Sequence, residues 1–224
     1  MGREIIVKPL QFPAAIKEHR VFLFVGPEDL NDVDFAIKSA QFLSELALPE
    51  HLRLSFFAPV ALGRLGCDRE SSFDQAAAVL FHIRDKFPLP VVTNLGDWKN
   101  LEKVTQIAQV IFVDDFLVLN KNRLVEFFKL GKPSILDTHL LVEAEIKELI
   151  ALIDQYKAPS ALLKRSFSPQ DLGLIDNYFI SARLELPDIR LAQSFAALGV
   201  KGFCFSCRKD TRDLEFVREL VKIF

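Results

Sequence analysis

The 224-residue chain is short of several things, and each shortage excludes something. It has only three cysteines, Cys67, Cys204 and Cys207, an odd number too small for a closed disulfide framework. Its amino terminus, with Arg3 and Glu4 ahead of a short apolar run, lacks the apolar core of a secretory leader. A cytoplasmic protein with reduced thiols is therefore expected. No apolar run approaches the roughly 20 residues of a membrane span, so no membrane partner is expected. Neither sign of charge is in excess: 28 Lys and Arg stand against 30 Asp and Glu, for a formal charge of -2. A surface for nucleic acid or anionic lipid would show a basic surplus, and no basic stripe interleaved with aromatics occurs either. The glycines of GPEDLND and LGRLG lack the spacing of a dinucleotide or P-loop phosphate cradle, and no cofactor is expected. These exclusions leave a small molecule or another protein as the partner.

What the chain does have is apolar bulk. Half of it is hydrophobic, and 21 Phe against two Tyr and one Trp predict bulky packing between helices and sheet without polar tips. The length suits one domain over residues 1–224, with no linker and no repeat beyond the βα period. Short runs rich in Val, Ile and Phe predict strands at Arg20–Val25, Arg53–Phe57, Pro90–Thr93, Val110–Val113, Pro133–Leu136, Ala161–Leu163, Tyr178–Ala182 and Gly202–Phe205. Helical spacing lies between them, at Asp32–Leu46, Phe73–Lys86, Leu101–Ala108, Arg123–Leu130, Val142–Tyr156, Ile189–Leu198 and Thr211–Ile223. Asn31 or Asp32 can cap the first helix, Gly131 and Gly199 sit where helices stop, and Pro88 and Pro159 block continuation. Ser168–Asp176 is too short and polar for a full helix. Eight βα units at this regular spacing fit a closed (β/α)₈ barrel, an α/β fold, better than an open sheet. Residues 1–18, with the alternating start EIIVK, are expected as a hairpin or extension plugging the amino-terminal mouth.

A barrel gathers the carboxyl ends of its strands at one mouth, where barrel enzymes keep their chemistry. LPVVTNLGDWK, an apolar strand running into Thr93, Asn94 and Asp97, is a sample of that boundary. The first five strands bring mainly acids to the mouth: Glu28, Asp97, Asp114, Asp115 and Asp137. The last three bring Lys164, Arg165, Arg183, Arg208 and Lys209. Arginine's planar fork suits phosphate or carboxylate, which gives an anion site; equally, the arginines pair with the acids and fill the mouth. Lys164, beside Arg165, is a candidate Schiff-base amine as well as an ordinary ion-paired lysine. Asp137 and His139, two apart, are an acid–base pair if both lie on one strand, and a loop contact otherwise. Cys204 and Cys207 match C-x-x-C, but on a strand their sulfurs diverge, so no metal site is expected.

Several stretches also resemble the 3-deoxy-octulosonate 8-phosphate and 3-deoxy-heptulosonate 7-phosphate synthases, barrels of the class I aldolase type. The likeness spans nearly the whole chain. It is carried by Gly26-Pro27, Pro90-Val91-Val92-Thr93, Phe116-Leu117, Gly131-Lys132-Pro133 and Gly199-Val200-Lys201-Gly202. The resemblance implies condensation of phosphoenolpyruvate with a phosphorylated aldose, using lysines and arginines for two phosphates and in many members a divalent metal. Most of those positions differ here. Glu28 replaces the family's Cys or Asn after Gly-Pro, Gly96-Asp97 its His-Glu pair, and Leu136-Asp137 its two lysines. Arg183 stands for a His and Ser206 for a Glu, with Arg208 and Asp210 beyond it, while Leu54 or Arg53 falls at the second-strand lysine. Arg165 and Arg69 match family arginines. The implied protein is a homologue without the ancestral catalysis, a pseudoenzyme that binds a phosphorylated or carboxylated small molecule or a protein partner. An enzyme with altered carbon–carbon chemistry through Lys164 is the alternative, with Asp137 and Asp97 as further catalytic candidates. The family's barrels associate through outer helices, so a homo-oligomer is expected.

Overall fold

A computed structural model describes residues 20–28, 30–59, 69–167, 173, 174, 178, 180–208 and 211–224, the side chains at 69–72 and 211 excepted. The strands are β1 (Val21–Pro27), β2 (Leu52–Phe57), β3 (Val91–Asn94), β4 (Val110–Val113), β5 (Ser134–Asp137), β6 (Ser160–Lys164), β7 (Ile180–Leu184) and β8 (Gly202–Cys207). The described helices are α1 (Val33–Ser44), α2 (Arg69–Lys86), α3 (Leu101–Ile107), α4 (Asp115–Val118), α5 (Lys121–Phe128), α6 (Glu143–Tyr156), α7 (Ile189–Ala197) and α8 (Thr211–Ile223). Every strand is parallel to its neighbours in the order β1 to β8, and the sheet closes on itself as a (β/α)₈ barrel.

Local chemistry starts and stops the helices. The carboxylates of Asp32 and Asp188 and the amide oxygen of Asn120 accept first-turn N–H groups of α1, α7 and α5 that lack helical acceptors. Gly131 and Gly199 take φ of 62° and 93°, the left-handed geometry that ends a helix without a Cβ clash.

Alternation along the strands sorts the core into two layers. Phe22, Phe24, Phe57, Val92, Phe112 and Leu163 belong to a cluster that fills the barrel, while Leu23, Val25, Phe56, Phe203 and Phe205 pack against the helices. The phenylalanines thus fill the cylinder as well as the sheet–helix space expected of them. Phe57 and Phe112 meet with ring centroids 5.5 Å apart just below the mouth.

The fourth expected strand matches β4, the second, sixth and eighth are extended by one or two residues at one or both ends, and the first, third, fifth and seventh sit one or two residues early. β1 runs on to Pro27, β3 to Asn94, β5 to Asp137, β7 to Leu184 and β8 to Cys207. Each extension adds parallel ladder bonds where the pattern had turned polar, as in the pairing of Gly26 with Ser206 and Asp137 with Leu163. The one-turn helix α4 and a 3₁₀ turn at Trp98–Asn100 are also additions. The proposed hairpin over 1–18 and most of the polar link 168–176 lie outside the described residues.

At the seam of the cylinder β1 pairs with both β2 and β8. A Cβ on Gly26 would lie 2.1 Å from the Phe57 carbonyl oxygen, a backbone atom that cannot turn aside. Gly26→Ala is expected to cost about 1–3 kcal/mol through overpacking, read as a lower urea midpoint at unchanged slope.

Candidate functional site at the barrel mouth

Alternation and strand length decide what reaches the mouth. Inward positions on β3, β4, β5 and β7 end in Asn94, Asp114, Asp137 and Arg183, each two residues beyond an inward apolar or small residue. Asn94 and Asp137 are buried, and Asp114 is partly so.

On the acidic side, the Asp114 carboxylate accepts from the Gly96 backbone N–H at 2.9 Å and from Asn94 Nδ2 at 3.2 Å. Gly96, with φ of 64°, turns the chain so that its N–H points back at the carboxylate. Burial nevertheless pushes the Asp114 carboxyl above its usual range, against those two hydrogen bonds and with a smaller push from Asp137. Asp137 is raised too, by burial first, against the His139 N–H and the Arg165 charge. Asp115 is buried at the start of α4, and its Oδ1 accepts from the Phe116 N–H at 2.8 Å. Three carboxyl groups thus crowd one side, and the charge of Asp115 adds a further upward push on Asp137.

On the basic side, Arg165 lies 3.9 Å from Asp137 and 3.8 Å from Glu185, and Arg183 Nε lies 3.3 Å from the same Glu185 oxygen. These contacts are longer than the roughly 2.7–2.9 Å of a charge-assisted hydrogen bond. The side chains of Arg165 and Arg183 remain 36% and 32% exposed, so the forks are paired loosely and still face solvent. Glu185, which holds the two arginines side by side, had no marker in the sequence beyond its place two residues after Arg183.

Several sequence candidates fall elsewhere. Lys164 has the outward register of Leu162, because Leu163 is the residue that points into the barrel, so it does not enter the mouth as a Schiff-base amine must. The Asp97 side chain caps the 3₁₀ turn by accepting from the Lys99 N–H. Asn94 is the inward polar group of that strand. His139 is exposed past the end of β5 and meets Asp137 only through its backbone N–H at 3.0 Å, so the two are no acid–base pair. Arg208 is drawn away by Asp213, buried in the first turn of α8, which accepts its N–H at 2.7 Å and lies 3.5 Å from its Nε. Leu54 faces the helices, and Arg53 bonds the carbonyls of Glu50 and Leu52 at the opposite end of the barrel, so neither replaces a mouth lysine. Glu28 is exposed just beyond β1, where its N–H donates to the Cys207 carbonyl. Arg69 opens α2 with its side chain undescribed, and Lys209 and Asp210 lie outside the described residues.

The cysteines of C-x-x-C diverge as alternation requires, Cys204 into the barrel and Cys207 toward the helices. Burial pushes each thiol up to about 12. Among the described residues no three His, Cys, Asp or Glu are grouped to hold an ion.

Fold and mouth together define a (β/α)₈ barrel whose interior is apolar to the rim and whose rim carries an acid cluster beside two arginines. In fold it is similar to the phospho-2-dehydro-3-deoxyheptonate aldolase (DAHP synthase) of Thermotoga maritima, with a TM-score of 0.70 and 19% identity over 91% of this chain and 68% of that chain. The resemblance drawn from the sequence is therefore present in the architecture. No protein-family model and no curated protein matches the chain. The described helices include none long and apolar enough to cross a membrane.

Two measurements test this electrostatic picture. A carboxyl raised in the folded state binds more protons there than unfolded, so its penalty is absent at low pH and grows as pH climbs past 3.8 through the raised folded value. Asp114→Asn removes that slope, and its stability relative to wild type is expected to improve steadily from acid to neutral pH in urea titrations. Cys204 and Cys207 are expected to stay unlabelled by a thiol reagent at pH 8 until the protein unfolds, as read by peptide mass mapping.

Proposed function

We propose that the protein binds a phosphorylated or carboxylated small molecule at the mouth of the barrel, held by Arg165 and Arg183, and does not carry out the condensation of the synthases it resembles. The observation that carries this is the pair of arginine side chains, each about one third exposed and bridged at 3.3–3.9 Å by Glu185 and Asp137. An incoming anion can replace those long contacts with short bidentate ones. Burial raises the carboxyls of Asp114 and Asp137, so each takes up a proton, and with it becomes an O–H donor, more readily than a solvated carboxylate.

Loss of the condensation follows from what the inner wall presents. Joining phosphoenolpyruvate to an aldehyde requires a cationic group placed against the developing alkoxide. The inward positions just below the rim hold Phe57 on β2 and Leu163 on β6, and the two cations that reach the mouth, Arg165 and Arg183, are the groups that hold the bound anion. Lys164 has the wrong register for an imine route.

Thermal melting with phosphoenolpyruvate, phosphoglycolate and inorganic phosphate tests the binding. An upward shift with at least one of them is expected, lost in both Arg165→Ala and Arg183→Ala. No shift across the panel would remove the anion site. Release of phosphate from phosphoenolpyruvate with a pentose or tetrose phosphate, or a borohydride-trapped adduct on Lys164, would overturn the non-catalytic reading instead.

A further inference from the structure

The arginines of the mouth have aliphatic neighbours on both sides. β6, whose last residue Lys164 precedes Arg165, pairs with β5 on one side and β7 on the other, so the loops after these three strands adjoin. In the β5 loop the Thr138 N–H and hydroxyl both donate to the Leu163 carbonyl, at 3.1 and 2.8 Å, and the Leu141 N–H closes a turn on the Thr138 carbonyl at 3.1 Å. That turn carries Leu140, 45% exposed. In the β7 loop Leu186 follows Glu185 and is 61% exposed, with Pro187, also exposed, after it. The Asp188 N–H donates to the Leu186 carbonyl at 2.8 Å, and the Asp188 carboxylate caps α7, so this turn too is held in place. A single exposed leucine needs no explanation, but here two turns tied down by hydrogen bonds present aliphatic side chains on either side of a pair of cations.

Glu185 indicates the size of the charged group that fits. One of its oxygens lies 3.8 Å from Arg165 and 3.3 Å from Arg183, so a single anionic head reaches both guanidinium forks. Hydroxyls on the rest of a ligand find little to bond. Asp114 is engaged by Gly96 and Asn94, Asp137 by the His139 N–H, the Thr93 hydroxyl by the Ala58 carbonyl and the Thr138 hydroxyl by Leu163. Exposed Ser166 and His139 and half-buried Ser206 are left, and a hydrogen bond made in solvent only replaces one to water. A methylene laid against an aliphatic side chain leaves water instead, and gains about fourfold in affinity when fully buried.

We propose that the ligand of the anion site is amphiphilic: one phosphate or carboxylate head on Arg165 and Arg183, and an apolar body without hydroxyls lying against Leu140 and the Leu186-Pro187 pair. This rests on the anion site proposed above and narrows its ligands to a class that excludes sugar phosphates.

Titration calorimetry of the full chain with methyl phosphate, butyl phosphate and glycerol 3-phosphate tests it, with acetate and pentanoate as the carboxylate arm. Butyl phosphate is expected to bind about tenfold tighter than methyl phosphate, or pentanoate than acetate, and glycerol 3-phosphate no tighter than methyl phosphate. Leu140→Asn and Leu186→Asn should each shrink the long-to-short ratio to about threefold, with melting curves to confirm that both variants fold. Binding by none of these ligands would remove the anion site and this inference with it. If the short anions bind but the longer chain adds nothing, or glycerol 3-phosphate binds tighter than methyl phosphate, or the gain survives both substitutions, the anion site stands and the amphiphilic ligand is overturned.

Discussion

The seam at which β1 pairs with β8 as well as β2 is the constraint on which everything else rests. Without it the eight strands form an open sheet, and Arg183, Asp114 and Asp137 stand along an edge instead of around an opening. On its other side β1 packs tightly on β2 because Gly26 lets the β1 backbone close on the Phe57 carbonyl. A side chain there would force β1 off β2 at the level where the mouth begins.

Closure also dictates what the cylinder must contain. Inward residues from all eight strands share a narrow space that has to be filled at the density of a packed core. Here aromatic rings from β1, β2 and β4 supply much of that filling, up to Phe57 and Phe112. The polar groups are consequently pushed to the last inward position of each strand. They form a thin rim over an apolar floor, which explains both the raised carboxyls and the shallow reach of the two arginines.

Much of this architecture was legible in the chain. The eight apolar runs, the βα spacing, Gly131 and Gly199 at helix ends, and the divergence of Cys204 from Cys207 all follow from local periodicity and backbone sterics, and the structure has each of them. The site was legible only in part. Asp114, Asp137, Arg165 and Arg183 do gather at the mouth, because each follows a strand whose phase was clear. Lys164 and Asp97 were misplaced because a shift of one residue reverses the face of a strand, and their strands run further than the apolar pattern does. Glu185 and Asp213 went unnoticed for a different reason: both act through partners, Arg165 and Arg183 for one and Arg208 for the other, and partnership across loops leaves no periodic trace.

By itself, then, the amino-acid order determined the alternation of strands and helices, the apolar bulk, and the class of closed parallel barrel, since these depend on spacing and on the conformational limits of single residues. Tertiary structure alone decided which charged groups meet. That depends on where each ladder ends and how the cylinder closes, and distances just under 4 Å between side chains some twenty or more residues apart, as from Arg165 to Asp137 and Glu185, are set by the whole sheet at once.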